Sequence, residues 1–419
     1  MRQQIRSAAK ISAGISALPG AGQAFTQTQA LWRFLHNPRI SLPALIQPVR
    51  DAAKEALSTC GGKYALAVHD WCKLKYGRHA SKKDQAQVTR TDCFGYELTT
   101  TLLVETQSGT PLGVMEQELR YAEGVLTTRS ARKQPARAHL EQLRPTMRAS
   151  RKWDLSKPLV HVIDREADSL AHLREWTSDG HLVLVRADHE REVKWNGQRI
   201  LMPDLVQTLT RQNAFQFTRL VEYHGKEARQ FVAETAVMLT KAGRKRQGKG
   251  QKRVLIAGKP LALRLVVAQV RDQADQLLAE WLLLTNVPEE VNAAEVAQWY
   301  YWRWRIESHF KLLKSAGQHV EQWQQTTAPA IARRLLVAAM SSLTVWQLMK
   351  DDSPAAQAIK PILIQLSGRL MKRKKPVTAP ALLAGLEVLL AMLDLLEHYH
   401  IEDLQALAQQ AFPRLFNTA

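Results

Sequence analysis

The chain has 419 residues, enough for two or three domains; 45% of them are apolar and only 20 are Gly and 17 Pro, which excludes a disordered or fibrous chain. Its 58 Lys and Arg against 39 Asp and Glu leave a formal net charge of +19, which points to a polyanionic partner, with nucleic acid ahead of a membrane surface. Cys60, Cys72 and Cys93 make neither a CxxC pair nor a disulfide framework and fit a reducing compartment.

The opening "MRQQIRSAAKISAGISALPGAGQA" has a basic start, but its middle is mostly Ala, Ser and Gly and is broken by Lys10. That is too polar for a signal peptide, so a cytoplasmic, nucleoid-associated bacterial protein is expected. Residues 23–58 read as short helices, with Ser41 placed to cap the second. "KYALAVHD" (63–70) is an apolar run ending in an acid and reads as a buried strand. "TDCFGYELTTTLLVETQSGTPLGVMEQEL" (91–119) carries β-rich runs about a Ser-Gly-Thr-Pro turn, which predicts a hairpin. Residues 134–150 read as a basic helix. "PLVHVIDREADS" (158–169) is a second strand ending in an acid, followed by a helix to about Ser178, and "HLVLVRAD" (181–188) is a third strand. Strand, hairpin, helix, strand, helix, strand predicts an α/β core, a mixed sheet flanked by helices.

From 191 to 290 the pattern turns to β-like runs such as "FQFTRLVEY" and "EWLLLTNV", read as an all-β insertion and interrupted by the basic loop "KAGRKRQGKGQKR" (241–253). The remainder is read as helical. "YYWRWRIESHFKLLKSAG" (300–317), wound at about 100° per residue, places Tyr300, Arg303, Glu307 and Lys314 within about 60° of one another. Trp299, Trp302, Ile306, Phe310 and Leu313 form a separate apolar stripe, the core face. A second basic cluster, "LMKRKK", spans 370–375. Leu382, Leu386, Leu389, Leu393 and Leu396 repeat at four-and-three spacing, enough for one packed helix. The greasy stretch 381–396 is shorter than a membrane span and carries Glu387 and Asp394, so no membrane partner is expected.

Two strands end in aspartates, Asp70 and Asp164, and strand carboxyl ends favour sites in α/β sheets. With Glu307 they offer three hard oxygen donors of the kind that hold Mg²⁺, and two such ions can activate water against a phosphodiester. Taken one at a time, Asp70 fits a turn or cap as readily, and Glu307 fits an ion pair with Arg303.

Two motifs together resemble a known family. "VIDREADS" and "YYWRWRIESHFKLLKSAG" are similar to the signatures of bacterial insertion-sequence transposases of the Asp-Asp-Glu superfamily, in the insertion-sequence-four branch. That branch carries a Tyr, Arg, Glu, Lys pattern with gaps of two, three and six residues, and Tyr300, Arg303, Glu307 and Lys314 reproduce every gap. The resemblance covers about residues 28–350. It implies a ribonuclease H-like core with Asp70, Asp164 and Glu307 as catalytic Mg²⁺ ligands (Mn²⁺ substituting) and a β insertion before the glutamate-bearing helix. It also implies that Tyr300, Arg303 and Lys314 hold DNA phosphates. By the same resemblance Trp281 stacks on a flipped base, the alternative being a core tryptophan, and Arg186 and His189 belong to a DNA-contacting stretch.

The expected domains are a helical DNA-binding region at 1–60, shorter than the family's, a first core part at 61–190, the insertion at 191–290, the core helix at 291–345 and a helical, dimerising region at 346–419. The function expected is a Mg²⁺-dependent transposase that acts as a homodimer on double-stranded DNA, cutting at terminal inverted repeats. It would join the 3′-hydroxyl to the partner strand, giving a hairpin, and then to target DNA. Two rivals stand beside it, a DNA-binding or dimerising inhibitor or relic, and a structure-selective nuclease on the same fold.

Overall fold

A computed structural model of the protein describes residues 22–77, 79–88, 93–246, 253–369 and 377–413. Most of the stretch weighed as a signal peptide, the centre of the basic loop 241–253, and the whole "LMKRKK" cluster lie outside the described residues. The chain divides into two units, one of residues 41–75 and 84–309 and one of residues 1–40, 76–83 and 310–419.

In chain order, helices α1 (Gly22–His36) and α2 (Leu42–Ser58) precede strands β1 (Ala65–Lys75), β2 (Ala86–Gln87), β3 (Phe94–Glu105), β4 (Pro111–Tyr121), β5 (Gly124–Thr127) and β6 (Ser130–Gln134). Then come α3 (His139–Ser150), β7 (Leu159–Ile163), α4 (Leu170–Ser178), β8 (Leu182–Arg186), β9 (Glu192–Trp195), β10 (Gln198–Leu201) and α5 (Met202–Arg211). Strands β11 (Gln216–Tyr223), β12 (Lys226–Leu239), β13 (Gly243–Arg246), β14 (Arg253–Ile256), β15 (Leu261–Arg271) and β16 (Leu277–Thr285) complete the β-rich part.

The first unit is a mixed α/β body on one large sheet of order β10-β9-β12-β15-β16-β8-β7-β1-β3-β4-β5-β6, with β11 on β12 and β2 on β3. Its centre, β1, β7 and β8, is parallel; on one side β3 pairs antiparallel with β1 and β4 antiparallel with β3, so β4 runs with the centre, and on the other side β16 pairs antiparallel with β8. The three central strands are near-continuous apolar runs because helices or loops cover both faces. On one face α2 packs Ala53 and Leu57 onto Leu103, Leu112 and Met115. A Cβ at Gly113 would come within 2.9 Å of the Ala53 Cβ, so a glycine there lets α2 lie close on the sheet. The other core gathers Met147, Ile163, Trp176, Val185, Leu205 and Leu265. Ser41 caps α2 as expected, its side chain accepting from the Ala44 amide.

The insertion differs from the expectation in one way. It is not all-β, because α5 buries Met202, Leu205, Val206 and Leu209 at helical spacing behind a first-turn proline. Its strand β16 pairs directly with β8 and makes the insertion continuous with the central strands. The described ends of the basic loop form the hairpin β13–β14.

Helices α6 (Ala293–Trp302) and α7 (Trp304–Lys314) replace the single helix expected over 300–317. The chain tightens at Arg303, whose amide reaches back three residues to the Tyr300 carbonyl. Of the expected stripe, Trp299, Ile306, Phe310 and Leu313 are buried and Trp302 is partly buried.

The second unit is helical, with α8 (Ala328–Lys350), α9 (Pro354–Leu366), α10 (Ala379–Leu396) and α11 (Ile401–Ala411). Leu382 and Leu383 of α10 pack with Val345 and Leu363, and Leu386 and Leu389 lie against that cluster. Leu393 and Leu396 are exposed, so only the first half of the leucine repeat meets a partner. By length and composition α8 and α10 could each cross a bilayer, and α8 is mostly buried within the protein.

Candidate catalytic site

Sheet register alone brings the first acids together. Val68 of β1 pairs with Val162 of β7, so Asp70 and Asp164, each two residues further on, stand at one level on adjacent strands about 4.8 Å apart. Ile163 pairs with Val185 of β8, which puts Arg186 at the same level. Side chains alternate along a strand, so His69 and His161 project from the opposite face.

Arg303 draws the acids into one cluster. Its Nη2 donates to Glu307 Oε1 at 2.7 Å across one helical turn, its Nη1 lies 3.4 Å from Asp70 Oδ2, and its Nη2 lies 3.8 Å from Asp164 Oδ2. Tyr300 OH donates to Asp164 Oδ1 at 3.0 Å, and Arg186 Nη1 stands 3.9 Å from the same oxygen. Asp70 Oδ1 accepts from the Trp71 amide at 2.8 Å and Asp164 Oδ1 from the Arg165 amide at 2.6 Å, so each aspartate has one oxygen fixed by its own backbone. Arg303 and Tyr300 are buried, whereas the side chains of Asp70, Asp164 and Glu307 keep 22%, 40% and 34% of their exposure, so the acids face an opening.

The three acids are electrostatically unequal. Burial pushes the Asp70 carboxyl up to about 6; the Trp71 amide and Arg303 oppose this, while Glu307 and Asp164 add to it. At Asp164 burial acts in the same direction but is outweighed by Arg303, the Arg165 amide, Tyr300 and Arg186, which hold it below the usual carboxylate range. Burial raises Glu307 against the pull of Arg303. Burial also raises the Tyr300 phenol, so it serves as a proton donor to Asp164.

The other expected residues fall in different places. Trp281 of β16 is half-buried with its ring centroid 6.4 Å from that of Tyr300, next to the cluster. His189 is exposed and lies 3.8 Å from Glu280. Lys314 closes α7 with its Nζ 3.4 Å from Glu321 Oε1. Sequence reasoning did not single out Trp304, an exposed indole whose ring centroid lies 5.4 Å from the Arg303 guanidinium carbon. Nor did it find Thr100, the cross-strand partner of Asp70, whose buried hydroxyl has no hydrogen-bond partner among the described residues. A cleft of about 990 Å³ lies to the side, lined by His139, Glu166, Asp168, Arg191, Lys241 and Arg244 rather than by the three acids.

The donor set suits a hard divalent cation: three carboxylates, one from the middle of β1, where the sequence predicted a strand end, one just past the end of β7 and one from a helix, with exposed oxygens. In the arrangement seen, the guanidinium spaces them, and among the described residues no group of three His, Cys, Asp or Glu side chains is close enough to hold one ion. No family model matches the chain. Among solved structures, the chain is similar to a piggyBac transposase in a synaptic complex with hairpin DNA, at 8% identity and a TM-score of 0.39, over 96% of this chain and 72% of that one.

Proposed function

We propose that the chain is a Mg²⁺-dependent DNA transposase that cuts at the ends of a mobile element and joins the freed 3′-hydroxyl to DNA. The observation that carries this is the convergence of Asp70, Asp164 and Glu307, from β1, the end of β7 and α7, on one buried guanidinium. The central order β4-β3-β1-β7-β8, in which β3 runs antiparallel to the other four strands, supports a ribonuclease H-like core. The net charge of +19 supports a nucleic-acid partner, and a homodimer on DNA is the assembly this reading proposes.

Asp70, Asp164 and Glu307 would hold the metal ions, with Mn²⁺ able to replace Mg²⁺. When bound, such ions would activate a water for cutting and steady the leaving oxygen. The chain's own groups do the rest. The Tyr300 hydroxyl and the Arg165 amide fix the Asp164 carboxylate in one orientation. Arg186 and Arg303 place two cations where a phosphate must approach three acids, which offsets their repulsion. Trp281, beside Tyr300, offers an indole to a base drawn out of the stack in a hairpin step.

The test uses a duplex carrying the DNA that flanks the gene. Asp70→Ala, Asp164→Ala and Glu307→Ala should each abolish nicking in Mg²⁺ while DNA binding persists. Cutting by the wild-type chain without strand joining would favour the nuclease, and binding without cutting would favour an inhibitor or relic. A variant of any one acid that cuts at near wild-type rate removes that acid from the ligand set.

A further inference from the structure

The Arg303 guanidinium stands between three carboxylates that the proposed function assigns to divalent cations, and its own contacts are uneven. The Glu307 bond is firm at 2.7 Å, whereas the Asp70 and Asp164 contacts are long, at 3.4 and 3.8 Å. Its side chain is only 6% exposed, and its buried Nε has no hydrogen-bond partner among the described residues. An unpaired buried N–H costs roughly 1–3 kcal/mol, and Arg219 and Arg305 also leave one buried donor unmade, so the three acids are what set Arg303 apart. This one reaches three acids and leaves a donor unmade. Its charge is also singular: three carboxylates face this guanidinium, with Arg186 near Asp164 alone.

We propose that Arg303 is an exchangeable internal cation, holding the acids together until a DNA phosphate draws its guanidinium away and leaves the three carboxylates to divalent cations. The inference rests on the transposase reading, since it needs the same carboxylates to be metal ligands. The physical case is a comparison of partners. A phosphate offers the planar guanidinium a bidentate acceptor in place of two long contacts. A divalent ion brings twice the charge that the guanidinium removes. The ring centroids of Tyr300 and Trp304 lie 5.7 and 5.4 Å from the guanidinium carbon, and Trp304 is 54% exposed, so the arginine sits one indole away from solvent. Arg303 therefore gates metal binding by occupying the acids.

The test measures Mn²⁺ binding to the full chain without DNA, by the electron paramagnetic resonance of unbound Mn²⁺, and thermal melting with and without Mn²⁺. Arg303→Gln should bind Mn²⁺ at least about tenfold more tightly than wild type, because a competing unit charge a few ångströms away is gone. In metal-free buffer Arg303→Gln should melt below wild type, with Mn²⁺ restoring more of its Tm than it adds to wild type. Arg303→Lys keeps the charge without the fork and should fall between the two, which covers the case in which Arg303→Gln does not fold. Equal Mn²⁺ affinity across the three proteins overturns the exchange and leaves the metal site standing. Failure of wild type and every variant to bind Mn²⁺ overturns both the exchange and the metal site.

Discussion

His69, His161 and His181 lie buried behind the acids, on the other face of the sheet, and they make a sharp prediction about pH. His69 Nε2 and His161 Nδ1 are 2.8 Å apart, His69 Nδ1 is 3.0 Å from Thr101 Oγ1, and the rings of His161 and His181 meet edge to face at 5.2 Å. The bond between the two rings needs one nitrogen as acceptor, which a fully protonated pair cannot supply. Burial pushes His69 down to about 3 and His181 to about 4, and it carries His161 well below its ordinary 6.5. The folded state therefore binds fewer protons than the unfolded chain. Stability from these groups is complete above pH 6.5 and is lost as the pH falls from 6.5 towards 3–4. At pH 5, linkage from 6.5 to about 3 for His69 and to about 4 for His181 amounts to about 2 kcal/mol each.

Other groups oppose this trend, so the wild-type curve alone is not the test. Burial raises Asp70 to about 6, and Glu116 and Glu387 to about 7, and these carboxyls favour the folded state as the pH falls. The difference between wild type and one variant isolates a single histidine. His181→Gln removes one titrating ring, so its urea-unfolding free energy relative to wild type should rise by about 2 kcal/mol between pH 7.5 and pH 5. A difference that stays constant across that range refutes the claim that His181 is held neutral by the fold.

Three further outcomes are expected. Asp70→Asn should stabilise the protein at pH 8 by up to roughly 3 kcal/mol, because Asp70 is ionised there although burial has pushed its carboxyl from 3.8 up to about 6; lower stability in urea at pH 8 would show that its charge is a net asset to the fold. Arg129→Met should cost about 3–5 kcal/mol in the same assay, since Arg129 Nη1 contacts both buried Glu116 and Glu118 and its loss leaves two carboxylates facing each other; a loss below about 1 kcal/mol would mean that the pair simply protonates. Trp281→Ala should slow hairpin formation more than first-strand nicking, by the roughly 1–3 kcal/mol that an indole contributes in stacking on a base; equal loss of both rates with a lowered Tm would make it a core residue.

The first two acids were legible because each follows an apolar run, and the parallel pairing of β1 with β7 brings them to one level, although β1 runs on past Asp70 to Lys75. The ridge of Tyr300, Arg303 and Glu307 was legible from helical period, although the structure tightens the chain at Arg303 instead of running one helix through it. The role of Arg303 as the hub of three acids was not legible. An i, i+4 pair with Glu307 is written in the spacing, but contacts of 3.4 and 3.8 Å to residues more than a hundred positions away depend on how α6 and α7 lie on the sheet. Helix α5 was hidden because its ten residues lie between β-like runs and its apolar positions repeat only twice. The histidine trio left a trace in "AVHD", "VHVI" and "HLVLV", where each ring sits in or beside an apolar strand run. Without the register, nothing said that the three share a face.

The two faces of the sheet follow from one alternation, and they divide the work. Residues 68, 70, 162 and 164 look one way and residues 69 and 161 the other, so one step of register would exchange acids for histidines. On the histidine side the polar groups are nearly fully buried; His69 and His161 satisfy each other, and His181 Nε2 has no hydrogen-bond partner among the described residues. On the acid side Asp70 is ionised at a cost, Arg303 keeps an unmade donor, and the Thr100 hydroxyl next to Asp70 has no partner among the described residues. Unmet polar groups beside exposed carboxylate oxygens and an exposed indole are what a fold retains when something else completes them. The contrast between acids that keep 22%, 40% and 34% of their exposure and histidines that are buried argues that the acid face is shaped for a charged ligand rather than for stability, and it bears on the site without appeal to the motif that first drew attention there.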